Sequence, residues 1–266
     1  MANPLSINDL LQDSLGRTKR LALPSMPYAG VFVLALGILV WTAGVLPDGS
    51  LGFLIFSALS TLTLFAHSLF SVSMYHAVLP KTQRLASSAW KLTLAWILVI
   101  VVAAIAASII ILFFALIGAS LGVGASDPGQ DITDMTEQMR ESGTFWPLFA
   151  VFLATLFGLF WFAVRLMTFA AASSTRGAVH VFRTWYWTKG YFRVLAPTML
   201  LLVVLPIAVQ FYVASILSNL FFEAVAPAFK PAITAAWTMF ALVPTAWLGH
   251  GFAASVFAKL AQDPEA

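Results

Sequence analysis

Six long apolar runs alternate with short polar breaks, at about 28–46, 51–79, 92–121, 145–172, 194–222 and 232–260. Each is long enough for a helix rising about 1.5 Å per residue to cross ~30 Å of hydrocarbon. Strands of a membrane barrel would be only ~10 residues of alternating polarity, so unbroken runs of this length predict helices. Pro197 and Pro206 fall inside the fifth run and predict a kink there, because proline removes a backbone donor.

Before three of the runs the apolar pattern becomes one-sided. At the start, Ser6 is placed to cap a short amphipathic helix over 6–20 in which Ile7, Leu10, Leu11 and Leu15 form one face. Arg17, Lys19 and Arg20 close its basic end. Leu85, Ala89 and Leu92 form a similar face before the third run, with Arg84, Ser88 and Lys91 apart from it. The richest case is Arg176 to Pro197. As a helix over 176–189 it sets Val179, Phe182, Trp185 and Tyr186 against Arg176, His180 and Arg183. Aromatic rings beside cations suit the headgroup level of a bilayer. The expected interface residues are Arg176, Arg183, Trp185, Trp187, Lys189, Trp90 and Lys91. A plainer connector whose cations only set topology is the competing reading.

These elbows resemble one another. Trp185-x-x-Thr188-x-x-Tyr191 matches Trp90-x-x-Thr93-x-x-Trp96, and Arg17-Thr18-Lys19-Arg20 is a fainter echo. Thr18, Thr93 and Thr188 are separated by 75 and then 95 residues, the excess being about the length of the hydrophilic stretch 125–144. The expectation is an all-α polytopic membrane domain of six transmembrane helices, 1–266, in three tandem elbow-plus-hairpin units at about 6–79, 82–172 and 177–260. An axis along the membrane normal would relate them.

Composition agrees. The 266 residues are 61% hydrophobic and 9% charged, against roughly a quarter charged in soluble domains. The absence of cysteine removes disulfides, thiolate metal sites and cysteine nucleophiles. A sequence pI near 9.3 reflects cations gathered in a few loops, with no implication of nucleic acid. Those loops precede the first run and follow the second and fourth, so the positive-inside rule places both termini and all three elbows in the cytoplasm of a bacterial inner membrane. No secretory signal is evident. The 125–144 stretch holds Asp127, Asp131, Asp134, Glu137 and Glu141 against Arg140, and Ile132, Met135 and Met139 suggest a short surface helix. Its acids lack calcium-loop spacing, and no metal site is expected.

Ionisable groups within spans are the candidate ligand-binding residues. His67, Arg165 and His250 lie 16, 19 and 18 residues beyond Leu51, Trp146 and Ala232, at similar depths on the second helix of each unit. His76, Glu223 and Lys230 sit nearer the boundaries. Three readings of the central trio stand open. One is local hydrogen bonding with a snorkelling arginine, and another is an anion or lipid-headgroup site built on the Arg165 fork. The third is haem between His67 and His250, with Gly249 and Gly251 admitting the ring. No cofactor is expected. Phosphate loops, nucleophile elbows and paired acid–base carboxylates are all missing, so no catalytic residues are assigned.

The motifs Ala89-Trp90-Lys91-Leu92-Thr93 and Trp185-Tyr186-Trp187-Thr188-Lys189-Gly190, with six spans, resemble a bacterial family related to the membrane domain fused to some glycerophosphodiester phosphodiesterases. The resemblance extends loosely over the chain and implies a membrane domain without the hydrolase barrel. The resulting expectation is a non-enzymatic protein that binds or moves a lipid or amphipathic anion. The alternative is an accessory or scaffold subunit, in contact with other membrane subunits or with copies of itself, motivated by 23 Phe and 9 Trp on all-round apolar spans.

Overall fold

The computed structural model describes residues 5–46, 49–80, 83–120, 137, 139–141, 143–221, 226–227 and 229–261. Its elements are α1 (Ile7–Ala43), α2 (Ser50–Val78), α3 (Leu85–Ser120), α4 (Phe145–Leu166), α5 (Phe169–Thr175), α6 (Thr184–Trp187), α7 (Phe192–Met199), a π-helical turn (Leu200–Val204), α8 (Leu205–Phe221) and α9 (Lys230–Leu260). Six helical stretches are long and apolar enough to cross a bilayer. The protein is an all-α, polytopic integral membrane protein. Most of the 125–144 stretch, including Ile132 and Met135 of the expected surface helix, lies outside the described residues.

The helices are drawn differently from the sequence expectation in three places. The first elbow and first span are one 37-residue helix, started by the Ser6 hydroxyl accepting from the Asp9 amide at 3.1 Å. Pro24 and Pro27 lie inside it without ending it. The carbonyls they leave unpaired belong to Arg20 and Leu23, both on the exposed side, where water or headgroups satisfy them. The second elbow is likewise continuous with α3. The helix expected over 176–189 is absent: only Thr184–Trp187 is helical. Gly177 takes φ +71°, a left-handed conformation that ends α5 and turns the chain. In the fifth span the expected irregularity takes the form of a π-helical turn just before Pro206. Widening the register there accommodates the donor that proline lacks.

The chain divides into two compact units. Residues 1–96 and 164–266 form the first, residues 97–163 the second. In the first, α1 packs most extensively against α9 and α2. Leu21, Ala29, Phe70, Met74 and Val243 form a buried cluster flanked by Tyr28, Phe32 and Trp247. Polar groups stitch the α1–α9 seam. The Ser255 hydroxyl donates to Asp13 Oδ2 at 2.6 Å, and Arg17 Nε donates to the same oxygen at 3.0 Å. Arg17 also reaches the Val78 carbonyl at 3.0 Å, closing the end of α2. Deeper in, Trp247 Nε1 donates to the Ser25 hydroxyl at 2.9 Å.

Gly251 makes this seam possible. A Cβ placed there would lie 2.9 Å from the Ser14 carbonyl and against the Thr18 hydroxyl, so α1 and α9 meet backbone to backbone. The second unit holds the rest of α3 and most of α4. Its side chains, among them Ile105, Ile109, Ile111 and Phe157, are largely exposed, as suits a surface solvated by lipid tails. At its loop end, Arg140 lies 5.2 Å over the Phe145 ring, which stacks on Phe149 at 5.8 Å.

The seam yields a paired expectation. Gly251→Ala forces the two helices apart and lowers stability by about 1–3 kcal/mol. Gly16→Ala, where nothing lies within 4 Å, instead gains about 0.5–1 kcal/mol from helix propensity. Thermal unfolding of the two detergent-solubilised variants checks the opposite signs.

Candidate functional site

A stripe on α2 organises the polar interior. His67, Ser71 and Tyr75 recur every four residues and so share one helix face. His250, from α9, sits on that stripe. Its Nδ1 lies 2.7 Å from the Tyr75 hydroxyl and its Nε2 lies 3.4 Å from the Ser71 hydroxyl. Tyr75 is fully buried, and its ring stands edge-on to the His250 imidazole at 5.0 Å. Both nitrogens of His250 are thereby occupied. Gly251 faces α1, and Gly249 has Val203 at 3.7 Å, so these two glycines do not open a slot beside His250.

His67 is situated differently. Its ring is held by aromatic edges, Phe32 at 5.1 Å and Trp96 at 5.4 Å, and its buried Nδ1 has no hydrogen-bond partner. Trp96 in turn meets Phe169 edge-on at 4.8 Å, and its buried Nε1 is also without a partner. Ser68 Oγ and Thr168 Oγ1, both on fully buried residues, lack partners too. Four such atoms on three adjoining helical segments stand out, since buried polar groups are nearly always satisfied.

Arg165 ends α4 with only 6% of its surface exposed. Its guanidinium carbon lies 4.9 Å over the Trp185 ring, and its buried Nε has no partner. Among the described residues no carboxylate pairs with it, and the ion pair found is Arg17–Asp13. The backbone around it is pinned from the third elbow, where the buried Thr188 hydroxyl donates to the Arg165 carbonyl at 3.0 Å. The structure thus gathers His67 and His250 on one face of α2, while no hydrogen bond or ring contact joins Arg165 to either histidine among the described residues.

The elbow residues divide by exposure. Trp90 is half exposed, with its ring 6.0 Å from Phe65, and Arg183 and Lys189 are exposed. Lys91 turns inward, donating to Gln83 Oε1 at 2.7 Å and to the Gly177 carbonyl. Trp187 is buried against Phe257, ring centroids 5.7 Å apart, with the Arg176 guanidinium carbon 4.7 Å above it. Arg176 also donates to the Ala261 carbonyl, just beyond α9. Of the aromatic pair in that elbow, one ring supports Arg165 and the other anchors Arg176. The motif threonines share a contact: Thr18, Thr93 and Thr188 each bond the carbonyl four residues back.

Sequence reasoning passed over Ser68, Ser71, Tyr75 and Thr168, and met Trp96 only as the last residue of the second elbow motif. The four-residue recurrence from His67 to Tyr75 was the available signal for Ser71 and Tyr75. Nothing local marks Ser68 or Thr168. Comparison of the chain with protein-family models, curated proteins and solved structures gives no match.

Two outcomes are expected. Thr188→Val keeps the shape of the side chain but removes the donor to the Arg165 carbonyl, lowering thermal stability by about 1–2 kcal/mol. His180, outside the spans, is held below its ordinary value by burial, then by Arg176 and Arg183. The unfolded chain therefore binds that proton more readily, so the loop loses stability as pH falls below about 6.5. Hydrogen-exchange protection factors across 176–183, taken against the intrinsic rate at each pH, should fall in that window, and less so in His180→Asn.

Proposed function

We propose that the protein is a non-enzymatic component of a bacterial cytoplasmic membrane that binds or moves an anionic lipid, with Arg165 as the recognition group. The carrying observation is a guanidinium almost wholly covered, stacked on Trp185 and lacking a carboxylate partner among the described residues. Stacking on indole is worth ~2 kcal/mol when desolvated. It leaves the buried Nε–H of the guanidinium without an acceptor. A phosphate-bearing headgroup supplies oxygens in that planar arrangement. Thr168, one turn further along the chain, brings a second unpartnered donor. His67 and His250 belong to the neutral polar interior beside this site.

The same reading takes both termini and the elbows as cytoplasmic, following the cations around 17–20, 81–91 and 176–193. It keeps the three tandem units, supported by the spacing of Thr18, Thr93 and Thr188, and the kinship to the membrane domain of glycerophosphodiester phosphodiesterases, supported by the two tryptophan motifs.

Reconstitution into nanodiscs of mixed phosphatidylglycerol and phosphatidylcholine, followed by native mass spectrometry, tests the assignment. The wild type should retain phosphatidylglycerol preferentially. Arg165→Leu should lose at least tenfold of that preference, about 1.4 kcal/mol, while Arg165→Lys keeps part of it. Equal retention by wild type and Arg165→Leu overturns the assignment. Recovery of a fixed partner subunit indifferent to Arg165 would favour the scaffold alternative instead.

A further inference from the structure

The unpartnered atoms around Arg165 share a chemical bias. Arg165 Nε and Trp96 Nε1 can only donate. Thr168 Oγ1 and Ser68 Oγ are hydroxyls with free protons to give, and His67 Nδ1 accepts or donates according to its tautomer. An environment rich in donors and poor in acceptors is complementary to a ligand rich in acceptors. Each such atom left unmatched in a low-dielectric interior is destabilising until an acceptor meets it.

Their placement is ordered as well. His67 and Trp96 each lie 11 residues from the ends of α2 and α3 that flank residues 79–84, so both sit ~16 Å along their helices from that boundary. Trp96 bridges them to the arginine segment. Its ring touches His67 on one side and Phe169 on the other, and Phe169 follows Thr168 directly. The line of ring contacts runs from His67 through Trp96 to Phe169, whose chain neighbour Thr168 lies three residues after Arg165.

We infer that Arg165, Thr168 and Trp96 form a binding site for the phosphate and glycerol-ester region of a diacyl glycerophospholipid, with the phosphate on Arg165 and Thr168 and an ester carbonyl on Trp96 Nε1. The inference rests on the lipid reading of Arg165 and adds the backbone chemistry of the lipid to it. A phosphate alone accepts from the guanidinium but does not extend to Trp96. The two ester carbonyls of a diacyl lipid are neutral acceptors set deeper than the phosphate, and an ether linkage removes both while leaving headgroup and tails unchanged.

The decisive comparison is diacyl phosphatidylglycerol against its dialkyl ether analogue, in nanodiscs and read by native mass spectrometry. Wild type should retain the diacyl form about tenfold more. Trp96→Phe should erase the ester preference, while the preference for phosphatidylglycerol over phosphatidylcholine survives; Thr168→Val should weaken retention of diacyl and dialkyl lipid alike. Arg165→Leu should lose both lipids together. Equal retention of diacyl and dialkyl lipid by the wild type overturns the inference yet leaves the Arg165 assignment intact. Failure to retain either overturns both. Displacement of the diacyl lipid by millimolar glycerol 3-phosphate would mark a site for soluble phosphate and also overturn it. Should Trp96→Phe fail to fold, the wild-type ester-to-ether ratio still decides.

Discussion

The contact between α1 and α9 sets the terms for the first unit. A bare Cα at Gly251 lets the Ser14 carbonyl and Thr18 hydroxyl approach the opposite backbone. In hydrocarbon there is no gain from hiding apolar surface, so helices associate through close packing and interhelical hydrogen bonds. The seam uses both, with Asp13 drawing in Ser255 and Arg17, and Trp247 reaching Ser25. Once these two helices are fixed, α2 is placed by Arg17 on its final carbonyl and by the cluster around Phe70 and Met74. His250 is then carried to the one face of α2 that can receive it.

Polar accounting in the interior divides sharply along that face. His250 has both nitrogens met by Tyr75 and Ser71. A turn away, His67 is surrounded by rings and its Nδ1 has no partner. The first arrangement is a finished hydrogen-bond network, which rigidifies a core. The second is unfinished, and it continues through Trp96 toward a covered arginine. The satisfied groups contribute cohesion, and the unsatisfied ones are those that the proposed lipid reading uses.

Much of this was legible in the chain. The six apolar runs dominate every local signal, and the bilayer permits few alternatives to a helix. Counting led to the expectation of equal depth for His67, Arg165 and His250, but it could not say which faces meet: Arg165 turns toward Trp185, His250 toward α2, and His67 toward Phe32 and Trp96. Helix boundaries near proline and glycine were the weakest readings. The amphipathic helix over 6–20 and the first span were expected as separate elements and form one unbroken helix, because the carbonyls freed by Pro24 and Pro27 are on the exposed side. The 176–189 stretch looked helical by periodicity, yet Gly177 adopts a left-handed turn and the loop is held instead by Lys91, Gln83 and Arg176. That scaffolding is long-range and has no local signature.

The continuity of α1 has a mechanical consequence. At about 1.5 Å per residue its 37 residues form a rod of roughly 55 Å, well beyond the ~30 Å of hydrocarbon it crosses. Because the helix is unbroken between the amphipathic third and the rest, the two parts are mechanically coupled, with Pro24 and Pro27 as the points where it can bend. A change in bilayer thickness that tilts the rod must swing its protruding end through an arc. Ser255 and the end of α2 are tied to that end through Asp13 and Arg17, so they would be levered along with it.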